Sequence, residues 1–190
     1  MSLNIGVVVS TTRPTRVGRT VADWFVSKVS DKPVINFELI DLKELDLPFL
    51  SEPESPSTGK YTQEKVINWS KKVDELDGFV FVTAEYNNGI PAPLKNAIDT
   101  IYHEWDRKPV AFVGYGTYGA TRAVEQLVDV TAKVGMMPLS KTFVSIIEHW
   151  HAVGEDGTVN EDYVKGNIDG LVENLKWWGE TLKAARTKSS

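Results

Sequence analysis

Short apolar runs alternate along this chain with amphipathic helical patterns, and that alternation restricts the fold more than any other feature. Residues 5–9 form a β-branched run that reads as a buried strand. Val17, Val21, Phe25 and Val29 follow at helical spacing, and residues 34–42 alternate as a second strand. Residues 46–60, rich in Pro and Ser, read as a long loop. Val66, Trp69, Val73 and Leu76 mark a second helix, and residues 78–83 are the strongest strand. Leu94, Ala97, Ile98, Ile101, Tyr102 and Trp105 give one apolar face of a third helix. A strand over 110–115 and a helix carrying Ala123, Val124, Leu127 and Val134 come next. A fifth strand over 139–147 and a last helix carrying Ile168, Leu171, Leu175, Trp178 and Leu182 complete the pattern. Nearly continuous apolar strands between amphipathic helices mean a parallel sheet covered on both faces. The expected architecture is therefore a single α/β domain over residues 1–190, a doubly wound five-stranded parallel sheet with no internal repeat.

Five βα units fit the flavodoxin-like strand order 2-1-3-4-5. In such a sheet a ligand sits at the carboxyl ends of the strands, where the strand order reverses. That singles out the loops beginning near residues 10, 84 and 116. In the first, Ser10-Thr11-Thr12-Arg13-Pro14-Thr15-Arg16-Val17-Gly18, hydroxyls and two arginines meet a helix N-terminus, which suits an anion. The same residues also suit a plain helix cap with solvated arginines. Neither a dinucleotide G-x-G-x-x-G nor a P-loop is present. In the second, Asn88-Gly89 and two prolines stiffen the run from Glu85, Tyr86 and Asn87 into the next helix. Gly89 is expected to take a positive φ or to permit a close backbone approach. Such a turn can offer backbone N–H groups to a flat heterocycle, or can be an ordinary βα connection. The third, Gly114-Tyr115-Gly116-Thr117-Tyr118-Gly119, allows backbone to approach a ligand closely.

Composition narrows the partners. A net charge of −5 without a basic stripe argues against nucleic acid and against anionic membrane surfaces. No apolar run approaches the ~20 residues of a membrane helix, and Met1-Ser2-Leu3-Asn4 does not read as a signal peptide. With no cysteine there is no thiolate nucleophile and no cysteine metal site. His103, His149 and His151 are too scattered for zinc. A cytoplasmic location is expected.

The run VTAEYNNGIPAPLKNAID, residues 82–99, resembles the signature of the NADPH-dependent FMN reductase family, in which a Pro-Glu-Tyr-Asn turn precedes a Leu-Lys-Asn-Ala-Ile-Asp helix. STTRPTRVG resembles that family's phosphate loop, and residues 102–127 resemble its next strand and glycine loop. Ser10 and Thr11 stand where the family has glycine and serine, Arg16 where other branches have serine, and Ala84 replaces the proline. The resemblance implies noncovalent FMN, its phosphate held by Thr11, Arg13 and Arg16 beside Gly18. Glu85, Tyr86 and Asn87 would hold the isoalloxazine on one side, and Tyr115, Gly116, Thr117 and Gly119 on the other. It implies NADPH or NADH as co-substrate and a quinone, free flavin or azo compound as acceptor, reduced by ping-pong hydride transfer. No side chain is expected to act as nucleophile or general acid, because the flavin carries the chemistry. It also implies a homodimer or homotetramer, with Trp105, Trp150, Trp177 and Trp178 as candidates to contact flavin or partner, or to pack in the core. His149 and His151 are candidates for the substrate side, or for a plain surface loop. The rival readings are a flavoprotein carrier or redox sensor acting on a protein partner, and a non-flavin doubly wound binding domain.

Overall fold

The computed structural model describes residues 2–31 and 35–188. Five parallel strands run β1 (Leu3–Val9), β2 (Ile35–Asp41), β3 (Gly78–Ala84), β4 (Pro109–Gly116) and β6 (Val144–Ile147), in the order β2-β1-β3-β4-β6. This is the flavodoxin-like order. The Val34 expected to begin the second strand lies outside the described residues.

The alternation of side chains along each strand builds two different cores. Leu3, Ile5, Val7, Val80, Val82, Ala111 and Val113 face one side, where α1 (Gly18–Val29) packs through Val21, Phe25 and Val29, and α7 (Ile168–Lys188) through Leu171 and Leu175. Val8, Phe79, Phe81, Val110 and Phe112 face the other. There α3 (Glu64–Asp74) contributes Val66, Trp69 and Val73, α4 (Ala92–Asp99) Leu94 and Ile98, and α5 (Thr121–Lys133) Leu127. The second face is aromatic, with Phe79, Phe81, Trp69 and Trp105 meeting edge to face or tilted at centroid separations of 5.0 to 6.2 Å. Such packing fixes ring orientation as well as burying area.

Three expectations are corrected. The fifth strand is not continuous. A two-residue strand β5 (Met137–Pro138) pairs with the amino end of β4, and β6 pairs with its carboxyl end. Between them the chain turns through a 3₁₀ segment, Ser140–Thr142. A further two-residue strand, β7 (Val164–Lys165), lies antiparallel on β6, so the sheet has seven strand segments rather than five. The third helix does not reach Trp105; it ends at Asp99. The indole N–H of Trp69 donates to the Ala97 carbonyl (2.9 Å) and that of Trp105 to the Ile98 carbonyl (3.2 Å). Those carbonyls would otherwise accept from residues 101 and 102, so two core tryptophans claim the acceptors that another helical turn needs. Trp105 is 1% exposed, which removes it as a flavin or partner contact. The long loop expected over 46–60 is present; it follows a single helical turn, α2 (Leu42–Leu45), and carries a 3₁₀ segment at Pro56–Thr58. Its course is pinned by Asn96, which donates to the Pro48 carbonyl and accepts from Leu50 N–H.

Among the described residues no helix is long and apolar enough to cross a membrane.

Candidate functional site

The carboxyl ends of β1, β3, β4 and β6 deliver four loops to one edge of the sheet, and a cavity of about 260 Å³ lies among them. Arg13, Arg16, Glu85, Tyr86, Tyr115, Gly116 and Thr117 line it, together with His149. Of the residues singled out in the sequence, Thr11, Gly18, Asn87 and Gly119 do not line it, and each has a structural task instead.

The first loop leads into α1, whose N-terminus has no side-chain cap. A plain helix cap therefore does not describe residues 10–17. The first-turn amides remain available to an anion at the positive end of the helix dipole. Arg13 is exposed, with no hydrogen bond or ion pair to its guanidinium among the described residues. Arg16 is held. Its Nη2 lies 2.6 Å from the Oδ2 of buried Asp41, which also accepts from Lys43 N–H. Arg16 Nε is buried without a partner.

Beneath this loop, Thr11 Oγ1 and Tyr115 Oη share a hydrogen bond of 3.0 Å, tying β4 to the loop after β1. Burial pushes the Tyr115 phenol up to about 12, so it stays protonated. A Cβ on Gly18 would stand 2.5 Å from that hydroxyl and 2.6 Å from Thr11 Oγ1. Glycine at the start of α1 is thus what lets the helix close over the Thr11–Tyr115 bond.

In the second loop, Tyr86 and Gly89 exchange backbone hydrogen bonds of 3.1 and 3.0 Å. Asn87 and Asn88 between them have φ of 51° and 64°, the signature of a type I′ turn. The left-handed positions are therefore the two asparagines, which tolerate them, and not Gly89, where an added Cβ would meet only atoms at 3.5 Å or beyond. Tyr86 is 36% exposed at the cavity mouth.

Glu85 has a role that local pattern does not show. Its carboxylate, with 12% side-chain exposure, accepts from Arg122 N–H (2.9 Å) and Ala123 N–H (3.3 Å) and pairs with the Arg122 guanidinium (3.1 Å). It caps α5 from outside, where the residue preceding the helix, Ala120, has no side chain able to do so. Gln126 adds a bond to the Asn88 carbonyl, so the second loop is fastened to the helix that follows the third. Arg122 also lies over the exposed Tyr118 ring, 5.0 Å from its centroid.

In the third loop, Gly119 has φ of 64°, and a side chain there would collide with Ser145 of β6. The fourth loop begins at Glu148, itself left-handed at φ 48°, whose N–H donates to the Thr117 carbonyl (3.3 Å). It continues as one helical turn, α6 (His149–Ala152). His149 thereby enters the cavity wall. Its Nδ1 is buried without a partner, and burial lowers the proton affinity of the ring. His151 and Trp150 are exposed beside it and do not line the cavity.

Three buried side-chain polar atoms lack a partner among the described residues: Ser10 Oγ, Arg16 Nε and His149 Nδ1. All three lie on loops at this end of the sheet, and the latter two residues line the cavity. Buried polar atoms without protein partners at one cavity call for a ligand able to hydrogen-bond with them. A larger cavity, about 460 Å³, lies on the far side of the first loop among Leu42, Leu47, Phe49, Ala92 and Pro93. It touches that loop only through Thr12, meets the second only at Ala92 and Pro93, where α4 starts, and does not reach Glu85–Gly89 or the third loop.

Residues 3–151 match the family model described as NADPH-dependent FMN reductase. The chain is 35% identical over 181 residues to an NAD(P)H-dependent FMN reductase of Schizosaccharomyces pombe, covering 94% of this chain and 84% of that protein. It is 31% identical over 155 residues to an NAD(P)H-dependent FMN reductase of Saccharomyces cerevisiae, covering 76% and 81%. Among solved structures, the flavoenzyme NAD(P)H:(acceptor) oxidoreductase FerB from Paracoccus denitrificans shares the fold, with a TM-score of 0.68 at 23% identity over 96% of this chain and 94% of that one. A cavity at the switch point of a flavodoxin-like sheet, bounded by an uncapped helix N-terminus and a glycine loop, is thus found in a chain that belongs to the NADPH-dependent FMN reductase family and is an FMN- and NAD(P)H-dependent oxidoreductase.

Proposed function

We propose that the 260 Å³ cavity is the FMN site, and that the loaded protein oxidises NADPH or NADH and reduces a quinone, free flavin or azo compound. The observation that carries this placement is the uncapped N-terminus of α1 beside the uncommitted Arg13 and the partnerless Nε of Arg16. A phosphate dianion satisfies all three through charge-assisted hydrogen bonds. FMN held here would supply the two-electron hydride chemistry between nicotinamide and acceptor.

The protein's own groups bind and orient. Arg13 and Arg16 neutralise the phosphate, and Asp41 fixes the angle of Arg16. Thr11 and Gly18 act from beneath, through the bond to Tyr115 and the close approach of α1. The backbone at Glu85, Gly116 and Thr117 would lie against the ring, while Tyr86 walls the cavity mouth. The side chain of Glu85 serves by capping α5 rather than by touching the ring. Acceptor choice follows the names of relatives, which include a 2-hydroxy-1,4-benzoquinone reductase and an NAD(P)H:quinone oxidoreductase.

Assembly as a homodimer or homotetramer belongs to the same proposal. Phe49, 78% exposed beside the larger apolar cavity, supports a subunit contact there. Light scattering of the pure protein tests it.

The main test is direct. Protein mixed with FMN is expected to show bands near ~450 and ~375 nm, as bound flavins generally do. NADPH oxidation with a quinone is expected to give parallel double-reciprocal lines, because both substrates use one ring face. A protein that leaves FMN fluorescence unchanged refutes the assignment. Intersecting lines would require a separate acceptor site.

A further inference from the structure

We propose that His149 is a flavin-holding residue, donating a hydrogen bond from Nδ1 to an acceptor oxygen of FMN. The inference rests on the FMN site placed above and adds to it a residue that belongs to none of the three motif loops.

Its position is fixed by backbone rather than by packing of the ring alone. Glu148 takes a left-handed conformation, and its N–H is tied to the carbonyl of Thr117 in the glycine loop. Its own carbonyl then accepts from His151 and Ala152, closing the single turn α6. This places the His149 ring in the cavity wall, 6.3 Å from the Tyr115 ring, with Arg16 lining the same cavity. Tyr115 in turn is bonded to Thr11 of the first loop.

Two buried nitrogens of residues lining this one cavity, His149 Nδ1 and Arg16 Nε, have no hydrogen-bond partner among the described residues. Arg16 Nε always carries a proton and can only donate. A neutral imidazole carries its proton on one nitrogen or the other, and the tautomer follows whichever partner is supplied. Burial favours that neutral form here. An FMN oxygen beside Nδ1 would select the Nδ1–H tautomer. It would also satisfy a buried polar atom that no described protein group satisfies.

The test compares wild type, His149→Ala and His149→Asn by FMN fluorescence titration and by thermal melting of the FMN-free proteins. Asparagine sets its amide nitrogen near the place of Nδ1 and so keeps the donor without the ring. The expected result is FMN affinity lowered about 3–10-fold in His149→Ala, restored to within about twofold in His149→Asn, with FMN-free melting temperatures alike. The inference is overturned if His149→Ala binds FMN as wild type does, or if His149→Asn is as weak as His149→Ala. Wild-type protein that fails to bind FMN would instead overturn the site assignment itself.

Discussion

Replacing Glu85 with alanine separates a capping role from a flavin-contact role, because the two make opposite demands on the protein without flavin. In the structure the carboxylate accepts from two first-turn amides of α5, at 2.9 and 3.3 Å, and pairs with Arg122. Loss of a side-chain cap costs about 0.5–2 kcal/mol. Loss of the negative charge at the positive helix end adds about 0.3–1 kcal/mol. The Arg122 pair adds little, about 0–1 kcal/mol, because the arginine is half exposed. A total of about 1–3 kcal/mol follows. For a chain of 190 residues that corresponds to a melting temperature lowered by roughly 2–12 °C. The assay is thermal unfolding of FMN-free protein by circular dichroism, with Glu85→Gln as a second variant. Glutamine keeps one acceptor oxygen and loses the charge, so it is expected to fall between wild type and alanine. FMN affinity should fall in parallel, since the 85–89 turn loses one of its fastenings to α5. Glu85→Ala melting within about 1 °C of wild type while binding FMN more weakly would refute the capping argument and return Glu85 to direct contact.

Other outcomes follow from the same geometry. Arg13→Ala is expected to weaken FMN by roughly 1.5–3 kcal/mol and to leave riboflavin, which lacks the phosphate, unchanged; equal weakening of both would mean that Arg13 does not hold phosphate. Tyr115→Phe leaves Thr11 Oγ1 buried without its partner and is expected to cost about 1–3 kcal/mol at neutral pH. The Tyr115 phenol is raised from its ordinary value of 10.0 to about 12 in the folded protein, so its contribution is present below pH 10 and lost as pH rises to about 12. Alkaline melting curves should therefore fall less steeply for Tyr115→Phe across that window, with Tyr61, also raised to about 12, retaining part of the loss. Gly18→Ala should destabilise by about 1–3 kcal/mol through collision with Tyr115 and Thr11. Gly89→Val should change stability by less than about 0.5 kcal/mol, because that site is open and right of the left-handed pair; the reverse ranking in a melting experiment would overturn both readings.

The sequence is most legible where a segment's environment is uniform. Strands β1, β3 and β4 are buried on both faces, so their apolar runs identify them and place the site loops at their ends. Legibility fails where a distant group decides. Nothing near Ile101 or Tyr102 reveals that the indoles of Trp69 and Trp105 occupy the carbonyls a longer helix would use. Leu139, Phe143, Val144 and Ile146 read as one strand, yet Ser140–Thr142 turns the chain aside. Glu85 lies 37 and 38 residues from the two amides it caps. Asn88-Gly89 suggests a turn centred on that pair, while the reciprocal bonds between Tyr86 and Gly89 centre it one residue earlier. From sequence His149 reads either as a substrate-side residue or as part of a plain surface loop, and the left-handed Glu148, which shows how the chain leaves β6, decides for the cavity wall.

The bonds from Glu85 to α5, from Tyr115 to Thr11 and from Glu148 to Thr117 cross between loops rather than running within them. They lash the rim of the cavity together before any flavin arrives. A rim braced in this way has little left to order on loading, so association should be a single bimolecular phase whose rate rises linearly with FMN concentration and does not level off. Flavin retention is then governed by escape alone. Cutting one cross-tie should shorten the residence time of the cofactor far more than it slows its capture, leaving a protein that fills readily and empties on dilution.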